Sequence, residues 1–340
     1  MGSTLPSTMR ASQWTTNANG IERDMKLNNE ASLPKNAASL PSGHTLVKVA
    51  YSTVNPFDYK VAETPVVGQY ILAKPSVPGL DFSGTVVETK RPDLRIGDRV
   101  FGRTDPPTFG CLADYVVVKE AGVYPISDGV SLRDASTAGI AALAAYQSIM
   151  PYIKPGDEVL INGGSGGTGH FGIQFAKAAG CRVTTTCSST NINFCKQLGA
   201  DEVIEYTKVD LISHLKSCGK QYDLIVDNVF SDRNLYWQCR HYLKPEGTFA
   251  TPGDTKPAAL KDLALAHVLP SWLGGGQRSF AFIRNEPNQN NFEQIAKWMQ
   301  QGKVKPFIQE EFSLEDAHKA YERLKSGRTR GKIVVKVAGE

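Results

Sequence analysis

The stretch Glu158–Asp201 constrains the fold more than any other part of the chain: EVLINGGSGGTGHFGIQFAKAAGCRVTTTCSSTNINFCKQLGAD. Val159-Leu160-Ile161 is a short apolar run of the kind a buried parallel strand needs. Gly164-Ser165-Gly166-Gly167-Thr168-Gly169 follows at its carboxyl end and satisfies G-x-G-x-x-G. Phe171, Ile173, Phe175, Ala176 and Ala179 then give a helix with one broad apolar face. A glycine run alone is a weak signal, but one set between a strand and a helix is a dinucleotide fingerprint. Its glycines turn the backbone tightly and let it approach a pyrophosphate, whose charge meets the free N–H groups at the helix start. Gly164, Ser165, Gly166, Gly167, Thr168 and Gly169 are therefore the predicted cofactor cradle.

An NAD site wants an acid at the end of the second strand, about 20 residues on, to bind the ribose 2′-hydroxyl. That place reads Thr184-Thr185-Thr186-Cys187-Ser188-Ser189-Thr190-Asn191, with no carboxylate before Asp201. Small hydroxyl side chains leave room for a 2′-phosphate and can hydrogen-bond to it. The sequence thus predicts NADPH, with Ser188 and Ser189 at the ribose. No Arg stands at that strand end; Lys196, Tyr206 and Arg328 are the candidates to supply charge or a hydroxyl. For Lys196 a solvated helix position is the competing reading. Asn228, on a predicted strand Asp223–Val229, and Phe282, on Arg278–Ile283, complete the predicted cofactor set.

At 340 residues the chain is long for one core, and two domains are expected. Residues from about Met9 to Val118 read as β-rich: Leu46–Tyr51, Ser83–Glu88 and Ala113–Val118 alternate apolar and polar between turns. A helix is predicted over Leu132–Met150, with Ser131 or Asp134 as its cap. Strands and helices then alternate from Glu158 to Thr251, which implies a parallel sheet with helices on both faces. The tail adds a helix over Asn291–Gln301, another over Leu314–Lys325 and a strand Lys332–Val337.

Net charge is +4, and Arg328-Thr329-Arg330-Gly331-Lys332 is the densest basic run, too short for a nucleic-acid or membrane surface. No apolar run reaches the 18 or so residues of a membrane span. The N-terminus carries no signal pattern, and Pro6 occupies the place where a myristoylation start needs Ser or Thr. The expectation is a cytoplasmic protein. The six cysteines form no C-x-x-C pair and the six histidines no metal spacing, so reduced thiols and no zinc site are predicted.

These residues resemble a zinc-independent medium-chain dehydrogenase/reductase of the quinone oxidoreductase group. Four segments carry the likeness: Val54-Asn55-Pro56-Phe57-Asp58-Tyr59-Lys60, Pro78-Gly79-Leu80-Asp81-Phe82-Ser83-Gly84, the glycine turn with Leu198-Gly199-Ala200-Asp201, and Gly331-Lys332-Ile333-Val334-Val335. The resemblance implies a GroES-like β-rich substrate domain over residues 1–126 and 287–340. It implies a doubly wound α/β (Rossmann) NADPH domain over 127–286, and a homodimer built on the Arg278–Ile283 edge strand. Zinc-dependent relatives carry Cys and Gly-His-Glu ligands; here Pro78–Gly84 has no His and Asn55 stands at a ligand position.

Without a Lewis acid such a fold suits reduction of a quinone or an activated C=C bond better than alcohol oxidation, because the substrate carbonyl takes up charge as hydride arrives. The resemblance puts the Asn55–Lys60 loop over the nicotinamide. Asn55 is the predicted polar contact, its amide offering donor and acceptor. Asp58 and Lys60 are expected to pair and fix the loop, or Lys60 to face a developing oxyanion. Tyr59 and Tyr70 are candidate proton donors or aromatic lining, and Phe280 and Phe282 are expected to shape the pocket. Where relatives carry a Thr against the nicotinamide carboxamide, this chain has Ala144. An enoyl-thioester reductase and a weakly active NADPH-binding scaffold are the alternative readings.

Overall fold

The structure is a computed structural model that describes residues 5–64, 67–252 and 275–339. Met1–Thr4 of the N-terminal reading above lie outside the described residues. Contacts divide the chain into two compact units, residues 1–143 with 287–340, and residues 144–286.

The first unit is built on strands β1 (Thr8–Gln13), β2 (Lys26–Ser32), β3 (His44–Thr53), β4 (Asp81–Thr89), β5 (Arg99–Arg103), β6 (Tyr115–Lys119) and β7 (Val123–Pro125). β1 and β2 form a two-stranded antiparallel pair. From the tail come β14 (Ile308–Ser313) and β15 (Lys332–Lys336). The main sheet runs β14-β15-β3-β4-β5-β7, with β6 also on β3, and only its β14–β15 pair is parallel. Alternation puts Val47, Val49, Phe82, Val100 and Val335 into one apolar core. Tyr321, on the helix Ala317–Lys325, is fully buried in that core.

The helix expected over Leu132–Met150 is broken. Ser131 Oγ caps the short helix Leu132–Ala135 by accepting from the Asp134 N–H at 3.0 Å. Ser136 and Thr137 hydroxyls then donate to the carbonyls of Arg133 and Asp134, and a 3-10 turn Ser136–Ala138 precedes the helix Ala141–Ile149. Gly139 sits where a Cβ would lie 2.4 Å from the Gly102 carbonyl oxygen, so the turn presses directly on the sheet. Residues 130–143 accordingly cluster with the first unit, held also by the Ser83 hydroxyl on Leu132 O at 2.6 Å.

The second unit holds β8 (Glu158–Asn162), β9 (Arg182–Cys187), β10 (Glu202–Glu205), β11 (Tyr222–Asp227), β12 (Leu243–Thr251) and β13 (Ser279–Phe282). They form one parallel sheet in the order β10-β9-β8-β11-β12-β13. Chain order runs outward from β8 on one side and from β11 on the other. The strand order therefore reverses between β8 and β11, where open α/β sheets bind ligands beyond the strands' carboxyl ends. Val159, Leu160 and Ile161 are fully buried, as a strand covered on both faces requires.

Candidate functional sites

In the second unit, β8 ends at Asn162 and the chain reverses through Gly163 (φ +80°) into the ten-residue helix Gly169–Ala178. The three fingerprint glycines have different causes. A Cβ on Gly164 would sit 1.9 Å from Thr185 Oγ1, and one on Gly169 would sit 2.2 Å from the Gly163 carbonyl oxygen. Those two are demanded by the protein's own packing. A Cβ on Gly166 would meet only Gly163 O, at 3.5 Å, an ordinary contact. Protein packing does not require the second glycine, so the open space beside it fits a ligand group lying against the backbone. No acid stands in the helix's first turn to oppose an anion there.

A polar lattice holds this turn. The Gly163 N–H donates to Thr186 Oγ1 at 2.9 Å, and the Thr186 hydroxyl donates to Asn162 Oδ1 at 2.5 Å. Asn162 Nδ2 donates to Asp227 Oδ1 at 2.8 Å, which also accepts from the N–H groups of Val229 and Phe230. Burial pushes the Asp227 carboxyl upward, against the pull of these donors. Asn228 Nδ2 donates to Asn162 O at 3.2 Å, while its buried Oδ1 meets no donor among the described residues. A ligand hydroxyl at this switch point would satisfy it. Together the bare Gly166, the acid-free helix start and the Asn228 acceptor fit a nicotinamide dinucleotide.

At the far end of β9, Asn191 Nδ2 donates to both Ser165 Oγ and Ser188 Oγ at 3.2 Å, tying the strand end to the glycine turn. Tyr206 is 53% exposed and its N–H donates to Cys187 O, so the structure brings it to this end. Lys196 is exposed in the last turn of the helix Ile192–Gln197. Arg328 is an exposed residue of the first unit. The strand end is not free of acid, contrary to the expectation. Glu205, the last residue of β10, lies in register with Cys187, and its carboxylate accepts from the Ser189 hydroxyl. Reading along β9 misses it because the acid arrives from the neighbouring strand.

Phe280 and Phe282 end in the aromatic core of this unit. Phe280 stacks on Phe249 at 5.9 Å and meets Tyr236 edge-on at 4.7 Å, and the half-buried Phe282 packs against the same cluster. Ala144 is buried, its carbonyl accepting from the Ser148 hydroxyl at 2.7 Å.

In the first unit, the segment expected as a loop is a helix, Pro56–Ala62, entered through Asn55. Asn55 is extended, Pro56 opens the helix, and the Asp58 carboxylate reaches back to the Asn55 N–H at 2.9 Å. Asn at the cap, Pro next and Asp at the third position was a readable start signal.

Asn55 is 3% exposed and its amide is committed inside the core. Nδ2 donates to Asp81 Oδ2 at 2.9 Å and to Thr53 O at 3.3 Å, and Oδ1 accepts from Lys332 Nζ at 2.5 Å. Asp81 also accepts from the Thr53 hydroxyl at 2.7 Å and stands 3.7 Å from the Lys332 ammonium. The expected Asp58–Lys60 pair is absent. Residues two apart on a helix point to nearly opposite sides, so Asp58 turns into the core while Lys60 is exposed. Asp58 Oδ2 accepts instead from Tyr321 OH at 3.0 Å. Burial drives the Asp58 carboxyl up to about 7, with the nearby Asp81 adding to it and the Asn55 N–H and Tyr321 opposing. Burial likewise raises Asp81 and lowers Lys332.

Tyr59 is half-buried beneath the Lys325 ammonium, 5.0 Å from its ring, and burial raises its phenol. Lys325 ion-pairs with Glu22 and Glu63. Tyr70 is 77% exposed. Cys111 is buried beside Leu80 O, its thiol pushed well up by desolvation. Among the described residues, no three His, Cys, Asp or Glu side chains are grouped to hold a metal ion.

A parallel sheet wound both ways around a glycine turn, with a separate antiparallel β unit, defines a two-domain nucleotide-dependent oxidoreductase architecture. Residues 41–128 match the alcohol dehydrogenase GroES-like domain, and residues 198–335 match a profile described as zinc-binding dehydrogenase. The chain is 42% identical to the trans-enoyl reductase pgmF of Aspergillus terreus, over 99% of this chain and 98% of that one. It is 29% identical to a chloroplastic quinone-oxidoreductase homolog of Spinacia oleracea, over 86% of this chain and 90% of that one. The solved quinone oxidoreductase of Coxiella burnetii superimposes with a TM-score of 0.81 at 28% identity, over 97% and 99% of the two chains. The chain belongs to the medium-chain dehydrogenase/reductase family, in the group of quinone oxidoreductases and their enoyl-reductase relatives.

Proposed function

We propose that the protein is an NADPH-dependent reductase of quinones or of C=C bonds conjugated to a carbonyl, working without zinc. The observation that carries this reading is the turn at Gly164–Gly169, whose middle glycine leaves a space that the protein's own packing does not need. A nicotinamide dinucleotide bound there supplies the hydride. The chain's own contribution in this unit is to bind and orient. The turn and helix start receive the pyrophosphate, and the Asn162–Thr186–Asp227 lattice fixes their geometry in advance. NADPH over NADH rests on the hydroxyl-rich end of β9. Zinc independence rests on the donor set: Asn55 stands at a ligand position of the zinc-dependent relatives, Pro78–Gly84 has no His, and Asn55 is already spent on Asp81 and Lys332. The first unit is proposed as the substrate domain, and a homodimer through β13, the edge strand of the second unit's sheet, completes the reading.

A second reading, reduction of an enoyl thioester, is favoured by the 42% identity to a trans-enoyl reductase. Following NADPH loss with 9,10-phenanthrenequinone, a small enone and crotonyl-CoA separates the two. Turnover of the quinone or the enone supports the first, and turnover of crotonyl-CoA alone supports the second. Silence across the panel contradicts both.

A further inference from the structure

We infer that Glu205 sets how strongly the nucleotide site of the second unit favours a 2′-phosphate, acting against it and keeping NADH a competing cofactor. The inference rests on the reading of Gly164–Gly169 as a dinucleotide turn. The adenosine ribose of such a ligand lies at the end of the second strand, here β9. Register places Glu205 directly beside Cys187, one residue before Ser188.

Two physical effects follow. The first is charge. The Ser189 hydroxyl, foremost, with the Lys208 ammonium holds the Glu205 carboxyl below its ordinary value, so it is ionised near neutrality and repels a phosphate dianion. The second is the supply of donors. A phosphate only accepts hydrogen bonds, while a ribose hydroxyl can also donate. Each hydroxyl has one hydrogen, and those of Ser189 and Thr207 are given to Glu205 Oε1. The amide hydrogens of Asn191 are given to Ser165 and Ser188. The nearby flexible cation, Lys208, is 73% exposed and held 2.9 Å from Glu205 Oε2. Ser188 and Thr190 share one contact at 3.2 Å and keep one hydroxyl hydrogen between them, so the strand end offers a 2′-phosphate fewer donors than its hydroxyl count suggests, beside a carboxylate that opposes it. Removing the charge would end the repulsion and free Lys208, while a Gln oxygen in its place could still accept from the two hydroxyls.

The test is calorimetric titration of the full chain with 2′,5′-ADP and with ADP, fragments that differ in the 2′-phosphate and carry no nicotinamide. Glu205→Gln should tighten 2′,5′-ADP about fivefold and leave ADP within about twofold. Glu205→Gln combined with Lys208→Gln should lose part of that gain, and Glu205→Asp should keep the wild-type ratio. Melting temperatures confirm that each variant is folded. A Glu205→Gln protein with an unchanged ratio of the two affinities overturns the inference. If the wild type binds neither fragment, the turn reading itself fails and takes the inference with it.

Discussion

The glycine turn of the second unit and the Asn55 network of the first are both polar, and both lie at strand ends, yet they are built from opposite materials. The turn is backbone: it is made by seven consecutive residues, Gly163–Gly169, and its features are the side chains it lacks. The network is side chain: Thr53, Asn55, Asp58, Asp81, Tyr321 and Lys332 converge from five elements and are all buried. The first arrangement leaves space, and the second fills it. A site formed by missing side chains stays open for a ligand, while a network whose amide and ammonium are committed to internal partners is a brace, even though Asp58 Oδ1 and Asp81 Oδ1 meet no donor among the described residues. This difference moves Asn55 from an expected ligand contact to a group that positions the β3 corner, and gives Asp58 its fixing role through the Asn55 N–H and Tyr321 in place of Lys60.

The contrast can be broken by substitution, and the largest effect is expected in the brace. Lys332→Met removes the cation that touches Asn55 and leaves Asp81, buried beside Asp58, with only the Thr53 and Asn55 donors and the more distant Arg103 to offset its charge. Chemical denaturation should show a loss of about 3–5 kcal/mol; a loss under about 1 kcal/mol would mean the network is not a brace.

The brace should also carry a pH signature. Asp58 ordinarily ionises near 3.8 but is held to about 7 in the fold. Below its ordinary value both folded and unfolded chains keep the proton, and stability does not change. Between that value and about 7 the folded chain holds a proton the unfolded chain has released, so stability falls as pH rises. Above about 7 the dependence levels off. The total loss is a few kcal/mol. Asp58→Asn, whose amide oxygen can still accept from the Asn55 N–H and Tyr321, should flatten this slope. An unchanged slope would remove Asp58 from the account.

Within the turn, effects should be smaller and should differ between neighbouring glycines. Gly164→Ala forces a methyl against Thr185 and should cost about 1–3 kcal/mol, whereas Gly166→Ala should change stability by less than about 1 kcal/mol. Equal costs at the two positions, read from melting curves, would erase the distinction between a packing glycine and a ligand glycine.

The same contrast explains what could be read from the amino acids. The β8–turn–helix unit was legible because its signal is contiguous, and the parallel sheet followed from strand–helix alternation. The helix Pro56–Ala62 is legible only in its capping residues, since seven residues give little periodicity to set it apart from a loop. The Leu132–Met150 helix looked continuous because nothing local reveals that Gly139 must press against the Gly102 carbonyl. Partners separated by 26 to 277 residues, as Asn55 is from Asp81 and Lys332, carry no local signal. Glu205 is hidden for the same reason, since its neighbour Ser189 lies just past the end of a different strand, β9.

The central claim is that the space at Gly166 belongs to a phosphorylated dinucleotide. Isothermal titration of the purified protein with NADPH, repeated on a folded Gly166→Val variant, tests it directly. Saturable binding of one NADPH per chain, lost in the variant while its melting temperature holds, is the result expected. Indifference of the wild type to NADPH, or undiminished affinity in the variant, would contradict it.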